Sequence, residues 1–370
     1  MSVELSITPL DDANGFVSAW RDLYQRAGKR SFFQSPEWID TWIRQAKDKA
    51  ELHVVRATQG GMVLLLGIVG LSKSGRVPLL SLREARLGEA ANEAIDSVYV
   101  EYNDFLQAAL AQPDLSSLAW RAVFDHFPGI DSFVIRNGTV GCVSAMSEAA
   151  LSRDFTIRVI REEHSWICPL AGLREDGKTV LSSLSSNSRK QVERSARLYE
   201  ERGALAIHVP GTPEEWSASW MRLEALHAAT WEARGGAGVF ANQQLTEFHA
   251  ALRQNYPDSV ALTELRAGDQ TLGVLYNFLH EGRVMNYQSG FQYEEDNRLK
   301  PGLLTHVMVA QHYLDQGYEI YDMLVGDVRY KQSLGEMGER MSLVEAVRPG
   351  WRQSAVSLAR SVRESLKRQS

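Results

Sequence analysis

The sequence predicts a mixed α+β (α/β) chain built as two halves. Helical and strand periodicities alternate from one end to the other. The order of elements seen before about residue 150 recurs after about residue 180, although no sequence repeat is visible. The chain has 370 residues, 44% hydrophobic and 23% charged, which suits two ordinary globular domains. No low-complexity linker separates them, and the boundary is expected near residues 150–180.

In the first half, residues 14–27 place Phe16, Trp20, Leu23 and Tyr24 on one helical face. Ser35 is a suitable N-cap and Pro36 a suitable first helical residue, followed by an apolar stripe of Trp38, Ile39, Trp42 and Ile43. Residues 52–57 and 62–71 read as strands paired around a Gly60-Gly61 turn. A helix is expected over 117–127. A strand over 131–136 should turn back at Asn137-Gly138, a strong hairpin signal. Residues 156–169 read as extended.

In the second half, Ser188-Arg189-Lys190-Gln191 reads as a capping box opening a helix that runs to Arg202 and stops at Gly203. Thr212-Pro213-Glu214-Glu215 is another capping box. Its helix carries Trp216, Trp220, Leu223, His227 and Trp231 on one face and ends at Gly235-Gly236. Strands are expected at 260–266, 271–280 and 283–289, a helix at about 302–316, and a strand at 319–325. Residues 352–368 form a basic amphipathic helical pattern with Ala355, Leu358, Val362 and Leu366 on one side.

Several function classes are disfavoured. The formal net charge of -6 argues against a general nucleic-acid binder. The two cysteines, Cys142 and Cys168, cannot build a disulfide framework, and no His/Cys cluster suggests a metal. There is no GxxxxGK[ST], no GxGxxG after a strand, no HExxH and no GxSxG. The N-terminus lacks a signal-peptide pattern and no apolar run could span a bilayer, so a cytoplasmic protein is expected, with the basic tail compatible with peripheral membrane contact.

The segment from Arg283 to Gly317 carries the most information. A strand leads through a polar loop to Asn297-Arg298-Leu299-Lys300-Pro301-Gly302, where a helix begins. Free amides and the positive end of the dipole make a helix N-terminus an anion site. Gly302 permits close approach of the backbone, and Arg298 and Lys300 add positive charge. An ordinary helix start with exposed basic residues would show the same spacing.

This region resembles the acyl-CoA loop and following helix of the GNAT superfamily. Residues about 180–335 resemble more closely the bacterial acetyltransferases associated with cellulose and exopolysaccharide biosynthesis. The resemblance rests on Ser188-Arg189-Lys190-Gln191 with Arg194 and Arg197, Leu226-His227 with Trp231, and Gly235-Gly236-Ala237-Gly238-Val239-Phe240. It continues through Phe248-His249, Tyr287-Gln288-Ser289-Gly290-Phe291, Lys300-Pro301-Gly302-Leu303-Leu304, and Tyr321-Asp322 with Gly326-Asp327 and Tyr330-Lys331. In the first half, Phe33-Gln34-Ser35-Pro36-Glu37-Trp38 also fits. The loop departs from the family in having a single glycine at Lys300-Pro301-Gly302.

The resemblance implies two GNAT-like halves, each a mixed sheet with flanking helices, as in the Fem-type aminoacyltransferases. The expected organisation is an N-terminal half over 1–160, an acyl-CoA-binding half over 161–345 and a basic C-terminal helix over 346–370. It implies transfer of an acetyl or other acyl group from acyl-CoA, without a metal, to an amine or hydroxyl of a small-molecule, saccharide or cell-envelope acceptor. An acyl carrier protein is a further candidate partner. Tyr287, Gln288, Ser289, Arg298, Lys300, Gly302, Leu303 and Lys331 are the expected coenzyme A contacts, and Tyr330 the expected proton donor to the thiolate.

His227 is a candidate base because imidazole titrates near neutrality, although it shares an apolar face. Asp322 and Asp327, at a strand end and in the following loop, are further catalytic candidates; loop hydrogen bonding would explain them equally. Lys190, Arg194 and Arg197 could meet a phosphate or form a solvated face. Two competing readings are a Fem-like transferase using aminoacyl-tRNA, which the acidic charge disfavours, and a non-catalytic subunit of a polysaccharide synthase.

Overall fold

The computed structural model describes residues 2–74, 82–112, 114–326 and 329–350. Asp327 and the amphipathic tail at 352–368 lie outside the described residues. The chain divides into two compact units: residues up to Glu162 with a return segment from Arg340, and Glu163–Glu339.

The first unit contains β1 (Glu4–Pro9), α1 (Ala13–Tyr24), α2 (Pro36–Ala46), β2 (Glu51–Gln59), β3 (Met62–Ser74), β4 (Leu82–Leu87), β5 (Leu106–Gln107), α3 (Leu115–His126), β6 (Ser132–Thr139) and α4 (Val140–Leu151). β7 (Thr156–Cys168) passes from this unit into the second. Ser35 caps α2 as expected, accepting from the Trp38 amide at 3.2 Å. The stripe it starts buries Trp38, Trp42 and Ile43. Gly60 and Gly61 both take positive φ, 58° and 81°, which closes the β2–β3 hairpin with the twist its strands require.

The expected hairpin at Asn137-Gly138 does not form. β6 runs through both residues, and α4 follows. Asn137 does adopt positive φ, 46°, but as a bulge, where the pairing with the returning strand shifts register between Ser342 and Val344. Its side-chain amide donates to Val100 O at 2.9 Å, which offsets the unusual backbone.

Within this unit β4 and β6 pair in parallel from Glu84↔Ser132 to Arg86↔Val134 and then part. The chain itself fills the opening. Asn103 N–H donates to Asn137 O (3.0 Å), Asn103 O accepts from Thr139 N–H (3.1 Å), and the Asn103 side chain donates to Leu87 O (2.8 Å).

The second unit adds α5 (Leu170–Glu175), α6 (Val180–Ser183), α7 (Ser186–Glu200), β8 (Leu205–His208), α8 (Pro213–Glu232), α9 (Gln243–Asn255), β9 (Val260–Ala267), β10 (Gln270–His280), β11 (Arg283–Phe291), α10 (Pro301–Asp315), β12 (Ile320–Val325) and α11 (Arg329–Leu334). β13 (Glu336–Val347) leads back to the first unit, where it pairs with β6. The sheet order is β7-β12-β11-β10-β9-β8. All neighbours are antiparallel except β11 and β12, which α10 connects as a crossover.

The capping box of α8 forms as read, with Thr212 and Glu215 exchanging bonds. That of α7 does not. Its N-cap is Ser185, three residues earlier than expected, because Ser185 Oγ accepts the Ser188 amide at 3.2 Å. α10 packs Leu304, Val307, Ala310 and Leu314 into a core with Leu265, Leu275, Val284, Tyr321 and Met323.

The first unit also buries charge. Glu89 is 1% exposed, neither of its carboxylate oxygens is hydrogen-bonded among the described residues, and the Arg136 guanidinium stands 3.4 Å away. Burial pushes the Glu89 pKa up to about 8, while Arg136 pulls it the other way. A carboxyl raised in the folded state stabilises the fold fully below its unfolded pKa and loses that contribution as pH rises through the folded value. Stability of the first unit should therefore fall between about pH 5 and pH 8, by roughly 1.4 kcal/mol per unit at the steepest point. Glu89→Gln should flatten that decline and be the more stable protein at pH 8. Urea denaturation across this range would measure it, and parallel curves for the two proteins would contradict it.

Candidate active site

The site begins at a two-residue turn. Glu281 and Gly282 take φ of 45° and 74°, joining β10 to β11 and setting His280 opposite Arg283. Counting back from that turn pairs Asn277 with Asn286. The next pair should be Tyr276 with Tyr287, but Tyr276 instead faces Gln288, so Tyr287 is an inserted residue, a β-bulge.

Buried side chains hold this bulge. Asn286 Nδ2 donates to Asn277 Oδ1 (3.0 Å) and to Gln288 O (3.3 Å), and Asn286 Oδ1 accepts from Ser289 Oγ (2.9 Å). Asn277 Nδ2 donates to the Tyr313 hydroxyl, which bonds Thr263 Oγ1 at 3.0 Å. Loss of one member would leave a buried partner unsatisfied, at a cost of about 1–3 kcal/mol. The expected contacts Tyr287, Gln288 and Ser289 thus lie on a strand whose backbone is re-aimed at this point.

β11 and β12 pair only over Arg283↔Ile320, Val284↔Tyr321 and Met285↔Asp322. Beyond Met285 they part, while the other edge of β12 stays paired with β7, at Cys168, Ile167 and, past a register shift, Ser165. Among the described residues no bridge like that of Asn103 closes this opening. Past the bulge, alternate backbone groups from Gln288 to Phe291 point away from β10, towards this opening.

Two charged groups expected in the chemistry hold this parting of the strands. Asp322 is fully buried. Its Oδ2 accepts from Arg283 at 3.0 Å, and its Oδ1 accepts from the Leu324 amide at 2.8 Å. Leu324 has φ 59°, an unusual conformation for a leucine, beside the β12–β7 register shift. Lys331 is buried too, and its ammonium donates to Leu324 O (3.3 Å) and Val325 O (2.6 Å).

α10 starts at the mouth of the opening. Lys300 is its N-cap without a side-chain cap, its own amide donating to Ser195 Oγ at 2.9 Å. Pro301 has no N–H to satisfy, and the amides of Gly302 and Leu303 have no carbonyl one turn back. A β-carbon at Gly302 would lie 3.5 Å from the Phe291 ring and 3.6 Å from the Tyr293 hydroxyl. Arg298 is bound by Asp296, at 2.7 Å between Nη2 and Oδ2, and stands exposed. Asp296 is held down near pKa 2, first of all by that guanidinium.

Tyr330, on α11, stacks on His306 with ring centroids 4.5 Å apart. His306 Nδ1 meets the Tyr321 hydroxyl at 2.7 Å, and its ring lies 5.6 Å from Phe291. Burial drives the His306 pKa down to about 3, with Lys331 adding to the effect. Burial raises that of Tyr330 well above the usual phenol value. Tyr330 and Gly302 therefore meet around Phe291, Tyr293 and His306.

His227 lies against the other face of β11. A β-carbon at Gly290 would sit 2.9 Å from Leu223 O and 3.2 Å from the His227 amide, so α8 approaches the strand closely there. Trp231 Nε1, which can only donate, bonds His227 Nε2 at 2.9 Å. Burial, with help from the charge on Arg234, lowers the His227 pKa to about 4. The neutral ring must then carry its proton on Nδ1, as a donor and not as the lone pair of a base.

The sequence reading missed Asn277, Asn286, Tyr293 and His306. The pairing of Asn277 with Asn286 follows from the Glu281-Gly282 turn. His306 falls on the buried face of α10 and gave no separate signal.

Residues 186–332 match the family described as "Acetyltransferase (GNAT) domain". No curated protein matches the sequence. Among solved structures the chain is similar to "Crystal structure of FemX", at 11% identity and TM-score 0.60, covering 97% of this chain and 99% of that one. It is similar to "The structure of L-PGS from Bacillus licheniformis", at 10% identity and TM-score 0.52, covering 93% and 96%. It is also similar to "Tandem GNAT protein from the clavulanic acid biosynthesis pathway (without AcCoA)", at 14% identity and TM-score 0.51, covering 94% and 99%. At these identities the likeness is one of fold: a mixed α+β chain of the GNAT-like kind, with the stretch from 186 to 332 carrying the match to the GNAT acetyltransferase domain. Among the described residues no helix is long and apolar enough to cross a membrane, and no cluster of three or more His, Cys, Asp or Glu is arranged to hold a metal ion.

Proposed function

We propose that the second unit transfers an acyl group from acyl-CoA to an amine or hydroxyl acceptor. The parting of β11 from β12 beside the uncapped start of α10 is the observation that carries this reading. The outward-facing edge of the strand suits the amides of a pantetheine arm, and the Gly302 and Leu303 amides suit its pyrophosphate. The acceptor is of the small-molecule, saccharide or cell-envelope class. An exopolysaccharide role follows the sequence resemblance alone.

In the reaction the acceptor's nitrogen or oxygen attacks the thioester carbonyl carbon. The C–S bond then breaks, and the departing thiolate takes a proton. The Tyr330 hydroxyl is the donor in this reading, since its raised pKa keeps it protonated at neutral pH. Solvent reprotonates it and removes the acceptor's proton. Asp322 and Lys331 act by position, holding the end of β12 away from β11. Lys300 contributes charge at the mouth, while Arg298 is engaged by Asp296.

An aminoacyl-tRNA donor, the second reading, would require a salt-dependent basic groove, and the net charge of -6 counts against it. Calorimetry with acetyl-CoA and with aminoacyl-tRNA separates the two.

Gly302→Leu should abolish or strongly weaken coenzyme A binding, because the side chain would extend past Phe291 and Tyr293 over the two free amides. Unchanged affinity in a folded variant, by the same calorimetry, would remove the helix start from the site. Tyr330→Phe keeps the ring on His306 and deletes only the hydroxyl. Its kcat should fall by roughly ten- to a thousandfold with coenzyme A affinity unchanged. Equal thiol release from acetyl-CoA by both proteins, with a competent acceptor, would take Tyr330 out of the mechanism.

A further inference from the structure

His306 forms and breaks no bond in the acyl transfer, yet it is fully buried against Tyr330. Its Nδ1 shares a hydrogen bond of 2.7 Å with the Tyr321 hydroxyl, and its Nε2 has no partner among the described residues. Leaving a nitrogen buried and unpaired is unfavourable. A phenylalanine would fill the same space without that penalty, so the bond to Tyr321 is what distinguishes the imidazole. Burial drives its pKa down to about 3, and the ring is neutral at physiological pH.

The contacts of this ring join four elements. His306 lies four residues after Gly302 on the same face of α10, about 6 Å further along the axis. Helical side chains lean towards the N-terminus, so the ring covers the turn at the helix start. One face stacks on Tyr330 of α11, with centroids 4.5 Å apart and planes 15° from parallel. Phe291 of β11 lies 5.6 Å away, and the Tyr321 ring of β12 stands at 65° to the imidazole. A histidine ring turns easily about its outer side-chain bond. The hydrogen bond to Tyr321 removes that freedom, and the fixed plane sets the tilt of the phenol stacked on it. Tyr321 is anchored in turn: it is fully buried, and its backbone pairs with Val284 of β11 and Cys168 of β7.

We propose that His306 is a positioning residue for acyl transfer, holding the Tyr330 phenol at a fixed place relative to the start of α10. The inference rests on the acyl-transfer reading and on Tyr330 as the proton donor in it. One helix then sets both ends of the donor: its first amides hold the pyrophosphate, and its histidine aims the acid at the sulfur. A misplacement of about 1 Å in such an alignment costs roughly a hundredfold in rate.

The test compares full-length variants by calorimetry with coenzyme A and by thiol release from acetyl-CoA, with glucosamine and hydroxylamine as amine probes. His306→Leu fills the space but removes both stack and bond. Its kcat should fall about tenfold or more while coenzyme A affinity stays within about twofold. His306→Phe restores the stack and should recover part of that loss. Tyr321→Phe removes only the bond and should match His306→Phe. In a Tyr330→Phe background none of the three should lower kcat further, because the group they position is gone. Losses that multiply undiminished in that background would reveal a general structural effect and overturn the proposal, as would a wild-type kcat in His306→Leu. If His306→Leu fails to fold, Tyr321→Phe decides alone, and a kcat equal to wild type overturns the proposal. Failure of the underlying reading looks different. The wild-type chain would then bind no coenzyme A, or Tyr330→Phe would release thiol as fast as wild type, and the inference would fall with it.

Discussion

The second unit depends on the separation of two parallel strands. β11 and β12 share three residue pairs and then diverge, although continued pairing would satisfy more backbone groups. Divergence persists because other bonds replace the ladder. Asp322 takes the Leu324 amide, Lys331 takes the Leu324 and Val325 carbonyls, and Arg283 neutralises Asp322. A buried carboxylate and a buried ammonium are costly to desolvate, so each is held by several bonds. The left-handed Leu324 is strain kept in place by this arrangement.

On the β11 side a neutral network does the equivalent work. Asn286 spans the bulge at Tyr287, and Asn277, Tyr313 and Thr263 complete the chain of bonds to α10 and β9. The bulge and the divergence sit within a few residues of each other, so the strand is both re-aimed and released over the same short stretch. The first unit has the same local plan, with β4 and β6 parting after Arg86 and Val134, but Asn103 stitches its opening shut. Similar element order thus yields one opening that no bridge closes among the described residues and one filled by the chain.

Much of this was legible before the structure. Binary patterns located α1, α2, α8, α10 and strands β9 to β11, because each buries one face strongly. Local capping chemistry was right at Ser35 and Thr212 and misplaced at Ser188, since a run of serines offers several equivalent caps and Ser185 takes the role. Asn137-Gly138 misled because the backbone signal is real, positive φ at Asn137, while tertiary pairing decides whether it makes a turn or a bulge. At the site, Gly302 and Tyr330 fall within one aromatic cluster. Asp322 and Lys331 were read for their chemistry, yet both are committed to backbone groups that only the folded strand positions. The tautomer of His227 depends on a tryptophan one helical turn away, a spacing visible in the sequence whose hydrogen bond was not.

The central claim is that the gap between β11 and β12 receives the donor. A crystal structure with a non-hydrolysable thioether analogue of acetyl-CoA tests it most directly. The account predicts the pantetheine arm against residues 287–291 and the pyrophosphate over the Gly302 and Leu303 amides. Density for the analogue anywhere else on the chain, with the gap unfilled, would contradict it.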